Sequence, residues 1–269
     1  MTAGPLERLR GRIERLGAPL CVGIDPRPDE LPAPLPRDID GIEAFAQGLL
    51  EVAAEHAAAV KLNAAFFEAL GPDGWALLIR LRRATPRDLI FILDAKRGDI
   101  GSTAERYAAS AFEVIEADAV TLSPYLGEDA IGPFLAYPER LVYVLARTSN
   151  PSASRFQDLV ADGLPIHHHV ARWVAERWPG GRVGLVVGAT ASAELGALRA
   201  LAPGPAFLVP GVGAQGGDLD AAARACHGEW APGLVNVSRA IASAASGDDW
   251  RRAAASAAEH LSAQLRVRV

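Results

Sequence analysis

Asp94, Lys96 and Asp99 stand two and three residues apart in the stretch LIFILDAKRGDIGSTAERY, residues 89–107. An apolar run leads straight into these charges, and glycines follow them. An ion taken out of water without a partner is costly, so charges at the end of an apolar run need one another or a ligand. In an extended chain side chains alternate, so Ile90, Ile92, Asp94 and Lys96 share one face, and Leu89, Phe91, Leu93 and Ala95 the other. Opposite charges about 4 Å apart attract by about 4 kcal/mol at an effective dielectric near 20. A lysine held that way stays ionised and fixed in place, which suits delivery of a proton. Two other apolar runs carry charge near their ends, PLCVGID at Asp25 and AAVKLN at Lys61.

A second group of residues fits an anion. PGVGAQGGD follows one late apolar run and NVSRAIASA another. Gly211 and Gly213 let backbone N–H groups approach a phosphate, Arg239 offers a two-pronged charged contact, and Gln215 can reach over it. GVGAQG also fits the glycine pattern of dinucleotide sites. It comes late, however, and DLDAAARA leads to no strand ending in an acid at the required distance, so that reading is rejected. His167, His168 and His169 are consecutive and would face different ways on a helix; a solvated or capping role is expected, and no metal. Cys226 has no second ligand at zinc spacing.

Eight strand-type runs must position these residues: 19–25, 58–63, 89–96, 118–123, 141–147, 182–188, 206–211 and 233–238. Helical patterns separate them, among them IEAFAQGLLEVAAEHA and STAERYAASAFEVIEA. Parallel strands need helical crossovers, and eight of them predict a single (β/α)₈ TIM barrel over residues 1–269, rather than an open doubly wound sheet. Ser102 and Glu105 have capping-box spacing, which places a helix start just after Gly101. The first residues read as an N-terminal helix with charges throughout, and an insertion at about 147–181 follows the fifth strand. In such a barrel the strand ends bring Asp25, Lys61, Asp94 and Lys96 to one mouth, and the loops after strands seven and eight form the phosphate end.

With 269 residues, 50% of them hydrophobic, the chain can bury one large core. A net charge of −5 argues against a nucleic-acid partner. No long apolar window free of charge predicts a membrane span, and no apolar secretory core precedes the first helix. Two distant cysteines, Cys21 and Cys226, are expected to be reduced thiols of a cytoplasmic protein.

DAKRGDIGSTA resembles the Asp-x-Lys-x-x-Asp signature of the orotidine 5′-phosphate decarboxylase family, and CVGID, VKLNAAFFEALG, TLSPYLG, VLARTSNPS, GLVVGAT, VPGVGAQGGD and NVSRAI follow the order of its longer bacterial branch. That resemblance implies a cofactor-free decarboxylase of orotidine 5′-monophosphate. It places Asp25 on the ribose, Lys61 between ribose and the acid network, Asp94 against the substrate carboxylate, and Lys96 as the proton donor. It further implies a homodimer in which Asp99, Ile100 and Thr103 serve the partner's site. Gln215 and Arg239 would grip phosphate, and Ser149 or its neighbour Thr148 would read the pyrimidine edge. Rival readings are a metal-dependent decarboxylase of a keto sugar phosphate, a Schiff-base aldolase using Lys61 or Lys96, and a nucleotide-binding barrel without activity.

Overall fold

The computed structural model describes residues 3–189, 192–212 and 218–266. Eight parallel strands close into a barrel: β1 Leu20–Ile24, β2 Ala59–Asn63, β3 Ile90–Arg97, β4 Ala119–Leu122, β5 Leu141–Arg147, β8 Val183–Val187, β9 Phe207–Pro210 and β10 Leu234–Val237, the last pairing back onto β1. Each corresponds to one of the eight runs seen in the sequence, with ends differing by at most one residue. A separate antiparallel ribbon, β6 Val160–Ala161 and β7 Leu164–Pro165, lies in the connection after β5.

Alternation along the strands divides the core in two. Ile90 and Ile92 join Cys21, Ala59, Ala119, Tyr143 and Leu208 in one cluster, while Phe91 and Leu93 join the larger cluster that includes the helix residues. The crossovers include the helices Ile39–His56, Gly71–Ala84, Gly101–Ala109, Ile166–Arg177, Ser192–Leu201 and Leu219–Ala225, and Trp250–Arg266 is the last helix among the described residues. Local chemistry starts two of them: Asp38 accepts from the N–H groups of Asp40 and Gly41, and Asp218 from those of Asp220 and Ala221.

The first helix, Pro5–Leu16, is polar only in part. Leu9 is fully buried in the Ile90–Tyr143 cluster with Leu6 and Ile13 against it, and buried Arg12 donates to the Ala57 carbonyl at 2.7 Å and to Asp88 at 2.5 Å. This helix therefore closes the N-terminal end of the barrel.

The expected capping box at Ser102 is corrected. The helix begins at Gly101, whose φ of 54° carries the chain in from an extended Ile100, and no side chain caps it. Ser102 then lies within the first turn, past the position from which a cap could reach. The helical pattern also loosens to a π turn over Ser110–Val114. Among the described residues no helix is long and apolar enough to cross a membrane.

Candidate active site

Two adjacent strands, β2 and β3, bring an unbroken ionic chain to the C-terminal mouth of the barrel. Lys61 Nζ lies 2.6 Å from Asp94 Oδ2, and Lys96 Nζ lies 2.6 Å from Asp94 Oδ1. Asp94 and Lys61 are buried, whereas the Lys96 side chain is 47% exposed. The inner charges are thus fixed, and the outer ammonium faces open space. Burial alone penalises the Asp94 charge, but Lys61 and Lys96 outweigh it and hold the carboxyl well below the usual carboxylate range. Burial likewise opposes the Lys61 ammonium, and Asp94 with Asp25 overcomes it, keeping Lys61 protonated above its ordinary range. A Schiff-base lysine must shed its proton, so Lys61 is unsuited to aldolase chemistry.

The backbone is bent to make this arrangement. Pairing between β3 and β4 slips between Leu93 and Arg97, and within that bulge Lys96 has φ 48°. A non-glycine residue in that region costs of order 1 kcal/mol and persists only where neighbours hold it. Thr121 of β4 is the holder. Its hydroxyl accepts from Lys96 N and donates to Asp94 Oδ1, both at 2.9 Å.

The mouth opens into a cavity of about 610 Å³ lined by Asp25, Lys61, Asp94, Ser149, Gly211, Asn236 and Arg239, among others. A neighbouring cavity of about 310 Å³ is lined by Lys96, Thr121, Thr148 and Ser149, and Lys61, Asp94, Ser149 and Pro210 border both. Inside, Asp25 Oδ1 and Asn236 Oδ1 are buried with no hydrogen-bond partner among the described residues. Two bare acceptors beside a lysine suit a polyhydroxylated ligand. Close packing supports this wall: a methyl on Gly23 would fall 1.8 Å from Ser238 Oγ, so β1 needs glycine there.

Asp25, Lys61, Asp94, Lys96, Ser149, Gly211 and Arg239 are therefore brought together as the sequence implied, and Thr148 stands beside Ser149. Gly213 and Gln215 lie outside the described residues. Asp99, Ile100 and Thr103 line neither cavity; Asp99 Oδ1 accepts from Ile100 N at 2.8 Å, and Ile100 and Thr103 are exposed. Thr121 and Asn236 were missed in the sequence. Their signal was a polar residue at an inward position of an otherwise apolar run, TLS and NVS.

The histidine expectation is corrected in part. His167 is neither solvated nor capping: it is 2% exposed, with Nδ1 2.8 Å from the Gln157 carbonyl. The three histidines do diverge, His169 turning to the Ala161 carbonyl. Asp158, His167 and Glu194 do bring potential metal-ligand atoms within 4.8 Å of one another. Arg147 already lies against both carboxylates, 3.2 Å from Asp158 and 3.1 Å from Glu194, and supplies the cation there.

A closed barrel with preorganised lysines and a carboxylate at its mouth, facing a polar cavity, defines an enzyme built for an anionic substrate. The chain belongs to the orotidine 5′-phosphate decarboxylase / HUMPS family, whose model matches residues 18–255. It is 47% identical over 245 residues to the orotidine 5′-phosphate decarboxylase of Roseiflexus sp. (strain RS-1), covering 90% of each chain. The Leishmania donovani OMP decarboxylase structure superposes with a TM-score of 0.84 at 38% identity, covering 99% of this chain and 100% of that one. The L. donovani UMP synthase structure matches at 41% identity and a TM-score of 0.84 over 98% of this chain, which spans 57% of that longer protein.

Proposed function

We propose that this protein decarboxylates orotidine 5′-monophosphate to uridine 5′-monophosphate, the last step of pyrimidine nucleotide synthesis de novo. The observation that carries the proposal is the Lys61–Asp94–Lys96 chain, which lines the smaller cavity at the barrel mouth. Breaking the C6–CO₂ bond leaves the electron pair in an orbital that the ring π-system cannot delocalise, so the site must stabilise it by fixed charge. Lys96 supplies the ammonium beside C6 and then transfers one N–H proton to it, so CO₂ leaves and a C6–H bond replaces the bond lost. Asp94 stands against the substrate carboxylate, repelling the bound substrate more than the state in which CO₂ is departing.

Asp25 accepts from the ribose hydroxyls, and Lys61 bridges ribose and Asp94. Its bare buried Oδ1 supports the assignment of Asp25. Arg239, Gly211, Gly213 and Gln215 grip the phosphate, whose binding energy is realised at C6 in the transition state. Ser149 reads the pyrimidine edge. No metal or organic cofactor takes part, so a chelator leaves turnover unchanged, whereas a metal-dependent sugar-phosphate decarboxylase would lose it. Free, buried Cys21 and Cys226 support placement in the reducing cytoplasm.

The working unit is a homodimer in which Asp99 serves the partner's site, with Ile100 and Thr103 as further contacts across the interface. Two observations support this. Asp99 makes no ion pair within 4.0 Å among the described residues, and Ile100, at 53% exposure, is a large apolar side chain left in solvent. Loss of absorbance on turnover of orotidine 5′-monophosphate, with and without chelator, tests the activity. For the dimer, Lys96→Ala and Asp99→Ala chains, each inactive, are mixed: a mixed dimer carries both lesions in one site and regains the other. Recovery of about a quarter of wild-type activity is expected from random pairing, and none, with exchange demonstrated, overturns the shared site.

A further inference from the structure

We propose that Arg147, Gln157 and Gly188 are positioning residues that hold Ser149 at the cavity, and that this is what the segment inserted after β5 does. The proposal rests on the reading of Ser149 as the group that contacts the pyrimidine.

Ser149 lies on a loop yet borders both cavities, and its side chain makes no hydrogen bond to a described residue. A loop residue with no anchor of its own must be placed by its neighbours. Thr148, the residue before it, is tied at every polar group. Its N–H donates to Gln157 Oε1 at 2.9 Å, its hydroxyl accepts from Gln157 Nε2 at 2.8 Å and donates to Asn150 Oδ1 at 2.6 Å, and its carbonyl accepts from Arg147 Nη1 at 3.1 Å.

The clamp is itself anchored. Arg147, the last residue of β5, has 13% side-chain exposure. Its Nη1 donates to Gln157 Oε1 at 3.1 Å, its Nη2 to Asp158 at 3.2 Å, and its Nε to Glu194 of the helix Ser192–Leu201 at 3.1 Å. Buried His167, in the helix Ile166–Arg177, meets the Gln157 carbonyl at 2.8 Å. Gln157, Asp158 and His167 all come from the insertion. Five planar donors on one arginine fix direction as well as charge, which a lysine would not do.

The opposite side of Ser149 rests on bare backbone. A methyl group on Gly188 would stand 3.1 Å from both the Cβ and the N of Ser149, tighter than such contacts ordinarily are, and Gly188 N donates to the Arg147 carbonyl at 2.8 Å. Glycine at this position thus sets how far Ser149 withdraws from the cavity.

The test is a cycle of variants assayed for kcat, KM and melting temperature with orotidine 5′-monophosphate. Ser149→Ala and Gln157→Leu are each expected to lower kcat/KM about tenfold, with melting temperatures close to wild type. The double variant should be little worse than Ser149→Ala alone, because both changes remove one contact. Gln157→Glu, which keeps an acceptor for Thr148 N and Arg147, should restore most of the loss, and Gly188→Ala should reproduce it. If Gln157→Leu costs as much in the Ser149→Ala background as in wild type, the clamp is overturned while the reading of Ser149 stands. A silent Ser149→Ala overturns both.

Discussion

The barrel buries one carboxylate cluster at each end, and only one of them can do chemistry. At the N-terminal end Asp118, 1% exposed, is met by Arg8, by Arg82 at 3.5 Å and by Arg140 at 3.9 Å, and Oδ2 also accepts from Phe91 N at 2.9 Å. At the C-terminal end Asp94 is met by two lysines and a threonine. The first acid is saturated by arginines, which stay protonated and point their donors inward. The second shares its charge with a lysine whose side chain is half exposed and lines the smaller cavity, next to the larger one that holds the bare acceptors. Burial and pairing are common to both. What separates a site from a staple is the proton that can leave, the strained backbone at Lys96, and the space beside it.

Removing the mobile proton should sharpen this contrast most. Lys96→Ala is expected to lower kcat/KM by at least about 10⁴-fold, from lost proton transfer and lost charge together. Its melting temperature should stay within a few degrees of wild type, because the side chain is half exposed and its removal leaves Asp94 paired with Lys61. Turnover within tenfold of wild type would remove Lys96 from the mechanism. The other end should behave inversely. Asp118→Asn leaves clustered arginines without their acid and should cost about 3 kcal/mol in denaturant melts, with kcat per folded molecule near wild type. A large loss of kcat with stability intact would break the comparison.

The smallest effect is in the pH dependence. Asp94 is ionised in the fold well below its ordinary value, so its pairing contributes stability above about pH 4 that is lost as pH falls through the folded value. Asp94→Asn leaves Lys61 buried without this partner and should be less stable at neutral pH. The gap to wild type, measured by denaturant melts, should narrow by about 2 kcal/mol or less between about pH 5 and pH 2. A constant gap would mean that Asp94 stabilises the fold by shape rather than by charge.

Strand positions, inward faces and the charged strand ends were legible in the chain because each depends on neighbours one or two residues away. Period-two alternation alone puts Asp94 and Lys96 on the face of Ile90 and Ile92, and eight such runs require helical crossovers whatever the packing. A capping box is equally local, yet Ser102 does not cap, because the turn at Gly101 moved the helix start. Other features came only with closure of the barrel. Thr121 reaches Lys96 through a bulge between β3 and β4, and Arg8 meets Asp118 across 110 positions of chain. Buried His167 is held by the carbonyl of Gln157. Register slips, partners across strands and unfilled acceptors are set by what lies opposite, and no local pattern encodes the opposite strand. The stretch from Leu89 to Tyr107 therefore declared in sequence which charges it carries; the barrel decided that Asp94 would bind two lysines, Lys61 buried and Lys96 half exposed.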